Sequence, residues 1–371
     1  MNEVVLVFFI VYAIALGLVI LIGFLLQQKK ERSYQSTTNG IDLGELIVLV
    51  PFRNEEHRIH TILNSISKLK TCPKEFIFIN DHSTDDSIRV IEEAKLSVPY
   101  RIMDLPNDVT GKKRALRYAI SHSYSDYILT MDADVEFQTS YFENMQQLEV
   151  ADMYLLPAVM KASHFLEHLY EIDLALVNAA NVGVAGLKRP IMASGANLFF
   201  RRSTFDEVDN LESHKHAASG DDMYLLRDFR ENNKDVRLVS GLDCAIHTET
   251  PQSFKEFINQ RLRWLGKTGD LKDYLSTSMA ILQSGLTLFF LVALIYCIAI
   301  ANWPLLITIM AVKTTFDMIL FFPYFYRIKR IITWSFIPIY EVLFPFYTII
   351  ILSLMYTYKP KWKGRTIYEN S

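Results

Sequence analysis

The chain has 371 residues, half of them hydrophobic, with 38 Lys and Arg against 41 Asp and Glu for a formal charge of -3. This is long for one simple domain and too apolar for an ordinary soluble enzyme, so part of the chain belongs in lipid. The near-neutral balance supplies no basic field, which argues against nucleic acid as a partner.

The three cysteines, Cys72, Cys244 and Cys297, are far apart and form no C-x-x-C pair. Neither a metal knuckle nor a disulfide framework is expected, and a reducing compartment fits. From Val4 to Leu26 there is no charged residue, a run long enough to cross a hydrocarbon core of roughly 30 Å. After Met1 only Asn2 and Glu3 precede it, so it lacks the basic start of a signal peptide and reads as an anchor over residues 1–32. Lys29, Lys30 and Arg32 on its far flank place the next segment in the cytosol.

Residues 33–44 form a polar linker, after which the periodicity changes. Leu46 to Val50, Phe76 to Ile79, Tyr100 to Met103, Tyr127 to Met131 and Met153 to Leu156 read as strands, with helical spacing at 55–69, 84–96 and 112–122. That alternation predicts an α/β domain over 45–250 with a mostly parallel sheet flanked by helices. Ligands in such sheets bind beyond the carboxyl ends of the strands.

Residues 251–277 predict an amphipathic helix on the membrane surface. Phe254, Phe257, Ile258, Leu262 and Leu265 form its apolar stripe, and Lys255, Arg261, Arg263 and Lys267 supply its charge. Three long apolar stretches follow within 278–358, at about 279–301, 304–325 and 333–357, then a basic tail over 359–371. Arg327, Lys329 and Arg330 belong in the cytosol, in agreement with the first anchor, whereas a third simple span carries the tail outside against its charge. A re-entrant stretch at Pro338 and Pro345 is the alternative.

Polar residues gather just past the predicted strand ends. The first strand runs into Pro51-Phe52-Arg53-Asn54-Glu55-Glu56 and the second into Asn80-Asp81-His82-Ser83-Thr84-Asp85-Asp86, where a nucleotide can be gripped by base and ribose. Thr110-Gly111-Lys112-Lys113-Arg114 opens a helix with cations suited to phosphate. The fourth strand ends in Asp132-Ala133-Asp134-Val135-Glu136. If the extended geometry persists, Asp132 and Asp134 share a face and present two oxygen ligands to Mg²⁺ or Mn²⁺. Glu136 is a further candidate ligand.

Ser194-Gly195-Ala196-Asn197 places small residues where backbone passes close to an acceptor or to another strand. Gly220-Asp221-Asp222 opens a helix, so one carboxylate can cap it while the second serves as a base. In Gln260-Arg261-Leu262-Arg263-Trp264, the residues Gln260, Arg263 and Trp264 share a helical face.

In this order the motifs resemble the inverting family 2 glycosyltransferases, a group that includes polysaccharide synthases and ceramide glucosyltransferase. The resemblance covers roughly residues 45–268 and implies a GT-A fold with transmembrane helices, one N-terminal and about three C-terminal. It implies that Glu55 and Asp81 contact the nucleoside, that Lys112 and Arg263 approach the diphosphate, and that Asp132 and Asp134 hold the donor through a divalent metal. Asp222 matches the catalytic base, and Gln260 and Trp264 match the acceptor side. The chain departs from the family at Asn80, where the loop usually carries a second Asp, and at His82, usually a small residue.

The implied partners are a nucleotide-sugar donor, with UDP the expected nucleotide, a lipid or glycan acceptor and membrane lipids, with no nucleic acid. The implied location is multi-pass in a membrane such as the bacterial inner membrane, with the catalytic domain cytosolic. The motifs do not separate single transfer to a lipid from processive polysaccharide synthesis; the count of spans favours the lipid acceptor. A transporter or non-catalytic scaffold is the reading from another class, suggested by Lys313, Asp317 and Glu341 within apolar stretches. A nucleotidyltransferase accommodates the soluble motifs but not those at Gln260–Trp264. His247 is a candidate for a metal or diphosphate contact or an ordinary loop histidine, and His214 and His216 receive no role.

Overall fold

A computed structural model describes residues 2–35, 40–209, 220–270, 274–355, 357–358, 361–362 and 365–366. Part of the expected linker, His214, His216 and most of the basic tail lie outside the described residues, as does the side chain of Lys267. The helices are α1 (Asn2–Gly17), α2 (Gly23–Arg32), α3 (His60–Ile66), α4 (Ser87–Glu93), α5 (Lys112–Ser121), α6 (Tyr141–Gln146), α7 (Phe165–Leu187), α8 (Arg202–Val208), α9 (Asp221–Glu231), α10 (Phe254–Asp270), α11 (Tyr274–Ala299), α12 (Trp303–Arg327), α13 (Ile331–Trp334) and α14 (Ile337–Met355). The strands are β1 (Leu46–Phe52), β2 (Glu75–Asn80), β3 (Tyr100–Asp104), β4 (Tyr127–Met131), β5 (Val135–Phe137), β6 (Met153–Leu155), β7 (Ala158–Met160), β8 (Asn197–Arg201), β9 (Val236–Leu238), β10 (Ile246–Thr248), β11 (Lys361–Trp362) and β12 (Arg365–Thr366).

The chain divides into a sheet unit, Lys30–Lys161, Met192–Glu249 and Pro360–Ser371, and a helical unit, Met1–Lys29, Ala162–Ile191 and Thr250–Lys359. In the sheet unit seven strands take the order β3-β2-β1-β4-β8-β6-β9. The β3–β2, β2–β1, β1–β4 and β6–β9 pairs are parallel, and β8 alone runs against its neighbours β4 and β6. The expected mostly parallel sheet is therefore present.

Leu46–Val50, Phe76–Asn80 and Ile128–Met131 are buried throughout, as strands covered on both faces must be. Full burial of Phe76, Phe78, Phe142 and Phe199 contributes about 1.5–3 kcal/mol each. The chain lays β2 and β3 on one side of β1 and then returns to place β4 on the other. That reversal makes the carboxyl ends of β1 and β4 the flanks of a switch-point crevice. A second, three-stranded sheet, β5-β10-β7, starts where the chain leaves β4.

In the helical unit, Ile10–Arg32, Thr277–Ala299, Trp303–Arg327 and Ile337–Met355 are long and apolar enough to cross a membrane. Val292, Ile307 and Ile319 are exposed on them, as lipid-facing side chains are. The stretch containing Pro338 and Pro345 forms one uninterrupted helix, α14. Lys313 pairs with Asp317, four residues on, at 2.7 Å and also with Glu341 on α14, while Tyr12 Oη donates to Asp317 at 3.0 Å.

Pattern alone identifies no element over α7. The helix packs on the Leu18–Ile22 stretch, which is π-helical and joins α1 to α2. The approach is close enough that a Cβ added at Gly186 would lie 1.7 Å from the carbonyl oxygen of Gly23. Buried Glu171 on α7 accepts from Arg330 and from Thr333 Oγ1. Much of the apolar stripe of α10, expected to lie on lipid, has protein partners: Phe257, Ile258 and Leu262 are buried with Tyr170 of α7 and Ile351 of α14, while Phe254 is exposed.

Candidate active site

The carboxyl ends of β1 and β2 are tied together by backbone amides and short side chains. Glu55 N–H donates to Ser87 Oγ at 2.8 Å and Thr84 N–H to Asn54 Oδ1 at 2.8 Å. A cleft of about 420 Å³ opens beside Asn54, Glu55, Arg58 and Asp85. Asn80, where the family usually has a carboxylate, donates to Asp104 Oδ1 at 2.8 Å and accepts from Ser83 N–H at 2.9 Å. An amide can do both and an ionised carboxylate cannot, so the departure has a structural reason. His82 sits at φ +56° and its Nε2–H donates to Val109 O at 3.0 Å.

Asp81 is buried, and its Oδ2 accepts the Gly111 N–H at 3.1 Å. Gly111, at φ +95°, is the N-cap of α5, so this bond fixes where Lys112 starts the helix. Lys112 Nζ forms an ion pair with Asp132. Burial opposes the charge on Lys112, but Asp132, Asp221 and Asp222 together hold its pKa above the ordinary lysine value. The neighbouring Lys113 lies over the Tyr224 ring, 5.4 Å from its centroid, and burial with Arg117 nearby lowers its pKa to about 8.

Asp132 and Asp134 stand on a turn between β4 and β5 rather than on an extended strand. They consequently reach different partners: Asp132 meets Lys112, and Asp134 lies 3.5 Å from Arg58, which also approaches Glu249 at 3.4 Å. Burial, then Asp132 and Glu55, raise the Asp134 pKa to about 6. Two crowded carboxylates with incomplete cationic compensation suit a divalent ion shared with a substrate phosphate. Among the described residues no group of three or more Asp, Glu, His or Cys side chains forms a protein-only metal cage. Glu136 is turned to Lys161, at 3.2 Å.

Gly220, at φ +97°, is the N-cap of α9, so neither Asp221 nor Asp222 occupies the cap position; both stand in the first turn. Asp222 is buried, with Oδ2 accepting from Gly195 N–H at 3.0 Å and Oδ1 from Met223 N–H at 2.9 Å. A Cβ built on Gly195 would lie 3.6 Å from both Asp222 Oδ2 and Lys112 Nζ. The small residue thus lies between the carboxylate and the ammonium, and Lys112, Asp132, Asp221 and Asp222 form one charged cluster. By sequence Gly195 meets either an acceptor or a strand; in the structure its amide holds Asp222.

Gln260, Arg263 and Trp264 lie on α10 in the helical unit. Gln260 Oε1 is shielded from solvent and accepts no hydrogen bond among the described residues. Arg261, expected to supply part of the charge of a helix on the membrane surface, is the residue that anchors the helix: its Nε is 2.5 Å from Asp173 Oδ2 and donates to Tyr347 Oη at 2.9 Å. His247, on β10, stands opposite Glu136 of β5.

Residues 47–208 match the sequence model of glycosyl transferase family 2. The chain carries a family 2 glycosyltransferase domain. The 4,4'-diaponeurosporenoate glycosyltransferase of Staphylococcus haemolyticus strain JCSC1435 is 28% identical over 211 residues, 55% of this chain and 56% of that protein. The enzyme of the same name from Staphylococcus aureus strain N315 is 32% identical over 108 residues, 29% of this chain and 28% of the relative. The matches thus span about half, or less, of these relatives' length.

The mannosyltransferase PcManGT from Pyrobaculum calidifontis, solved in complex with GDP-Man and Mn²⁺, superposes with a TM-score of 0.56 at 15% identity, over 93% of this chain and 98% of that one. The glycosyltransferase domain has a GT-A type α/β fold, and the chain adds one N-terminal and several C-terminal apolar helices.

Proposed function

We propose that this protein transfers a sugar from a nucleotide-sugar donor, with UDP the first nucleotide to test, to a lipid or lipid-linked acceptor with inversion at the anomeric carbon. The observation that carries the reading is the cluster of Lys112, Asp132 and Asp222 around Gly195 at the switch-point crevice. It sets a cation for a diphosphate beside a carboxylate fixed in orientation by two backbone amides.

In this mechanism Asp222 takes the proton of an acceptor hydroxyl as the oxygen bonds to the anomeric carbon. The bond from that carbon to the diphosphate breaks on the opposite face. Base help of this kind is worth about 10²–10⁴-fold. Glu55 and Asp81 bind the nucleoside, and Lys112 and Arg263 carry charge that builds on the leaving diphosphate. Asp132 and Asp134 are the residues suited to Mg²⁺ or Mn²⁺, which supplies Lewis-acid neutralisation of the diphosphate when bound. Mn²⁺ in the mannosyltransferase complex supports a divalent ion here.

The four apolar helices and the relatives named as 4,4'-diaponeurosporenoate glycosyltransferases support a lipid-like acceptor presented at a membrane, with Gln260 and Trp264 on its side of the site. The basic flank after the first span supports a cytosolic catalytic domain. The test incubates membranes containing the protein with a panel of radiolabelled nucleotide sugars and separates lipid-extractable from polymeric product. Label in the lipid fraction is expected; label only in polymer, or none from any donor, overturns the reading.

A further inference from the structure

Helix α7 gives the helical unit a buried carboxylate, Asp173, that the transfer described above does not use. Its Oδ2 is 2.5 Å from Arg261 Nε, and its Oδ1 accepts from Tyr340 Oη at 2.9 Å. Arg261 Nε–H donates to Tyr347 Oη, so three helices, α7, α10 and α14, meet at one ion pair. The guanidinium lies over the Trp264 ring, 5.3 Å from its centroid. Burial opposes the Arg261 charge, and Asp173 together with the tyrosines more than offsets this, so its pKa is raised.

Buried ion pairs add little net stability over apolar residues of similar size, because desolvation offsets their attraction. A pair retained in such a place suits a positional role. Arg261 and Trp264 are three residues apart on α10, so their side chains are neighbours on its surface. A guanidinium is planar, and one clamped at Nε presents its face in a fixed direction. A ring within cation–π distance of that cation is held in turn.

We infer that Asp173 is a positioning residue: through Arg261 it fixes the plane of the Trp264 indole against which the acceptor is presented. The inference rests on the assignment of Gln260 and Trp264 to the acceptor side. Asp173 itself touches no substrate.

The test uses the full chain with Trp264 as its only tryptophan, made by Trp303→Phe, Trp334→Phe and Trp362→Phe, in phosphatidylcholine–phosphatidylglycerol nanodiscs. Asp173→Asn leaves Arg261 buried without its counter-charge, so the double variant Asp173→Asn/Arg261→Gln, which removes both charges, guards against simple misfolding. Trp264 fluorescence anisotropy and acrylamide quenching report the ring without any substrate. Transfer is followed with radiolabelled UDP-glucose and endogenous membrane lipid at fixed amount, where an acceptor-side defect lowers kcat and leaves the donor KM unchanged.

The expected result for the double variant is a folded protein with lower Trp264 anisotropy, greater quenching and a kcat reduced about tenfold at unchanged donor KM. Unaltered Trp264 anisotropy and quenching in the double variant would overturn the positioning role. Full transfer by Trp264→Ala is a separate failure, removing the acceptor-side assignment and the inference with it.

Discussion

The backbone N–H of Gly195 donates to Asp222 Oδ2 at 3.0 Å, joining the segment before β8 to the first turn of α9 across 27 positions of sequence. The bond orients one carboxylate of an adjacent acidic pair, which sequence alone does not distinguish by geometry. Asp222→Asn is expected to abolish transfer, with a loss of at least about 10²-fold from the missing base. Nucleotide-diphosphate binding should persist, because Lys112, Asp132 and Asp134 are untouched and the amide oxygen can keep one of the two backbone bonds. Asp221→Asn should keep measurable turnover and, with Gly220 at the cap, lose less stability than the ~0.5–2 kcal/mol of a cap deletion. Rates and nucleotide affinities of both variants check this; turnover retained in Asp222→Asn and lost in Asp221→Asn would reverse the assignment.

Lys112 balances Asp132 before any donor arrives. Lys112→Met should weaken nucleoside-diphosphate binding by about 10–100-fold, the scale of a lost hydrogen bond to a charged group at ~1.5–3 kcal/mol. Titration calorimetry with UDP and Mn²⁺ measures it. An equal loss for the nucleoside alone would place Lys112 away from the diphosphate.

Asp134 is the carboxylate with more negative neighbours than cations, Asp132 and Glu55 against Arg58. Asp134→Asn should sharply weaken UDP binding in the presence of Mn²⁺ while leaving the thermal midpoint near or above the wild-type value, since it removes a crowded charge. Wild-type UDP affinity that does not change when EDTA is added would count against a metal at this pair.

Burial lowers the Lys113 pKa to about 8. The sign follows from proton counting: between about pH 8 and the unfolded lysine value near 10.4 the unfolded chain binds the extra proton, so stability rises with pH across that window. The gain is at most ~3 kcal/mol, reduced by solvent screening. Melting curves from pH 7.5 to 10 should show a rising contribution that Lys113→Met removes; identical slopes in the two proteins would contradict the shift.

The parallel half of the sheet is legible because β1, β2 and β4 are apolar on both faces and so read as short continuous runs. The loops past them are legible because a switch-point crevice concentrates polar residues there. Helix α7 is hidden because it is neither a simple span nor a surface stripe: Glu171, Asp173 and Asn181 are buried within it. What makes the two carboxylates tolerable is distant in sequence, with Arg330 for Glu171 and Arg261 for Asp173. The same distance conceals Arg261, whose pattern is that of an exposed charge. It also conceals the bend between Asp132 and Asp134, since strand periodicity carries no signal that β4 ends at Met131 and a second sheet begins at Val135.

The contact between α7 and the N-terminal helix predicts a sharp contrast between two glycines. At Gly186 an added Cβ would stand 1.7 Å from the Gly23 carbonyl oxygen and 2.9 Å from the Gln27 nitrogen, so Gly186→Ala must push two backbones apart. Overpacking of this kind typically costs ~1–3 kcal/mol. At Gly285, in α11, nothing lies within 4 Å of the added atom, and Gly285→Ala should gain up to ~1 kcal/mol of helix propensity instead. Thermal melts of the two variants in the same detergent compare them directly. A lower midpoint for Gly186→Ala beside an equal or higher one for Gly285→Ala is the expected pair. Equal midpoints would mean that the α7 backbone does not approach Gly23 this closely in the folded protein.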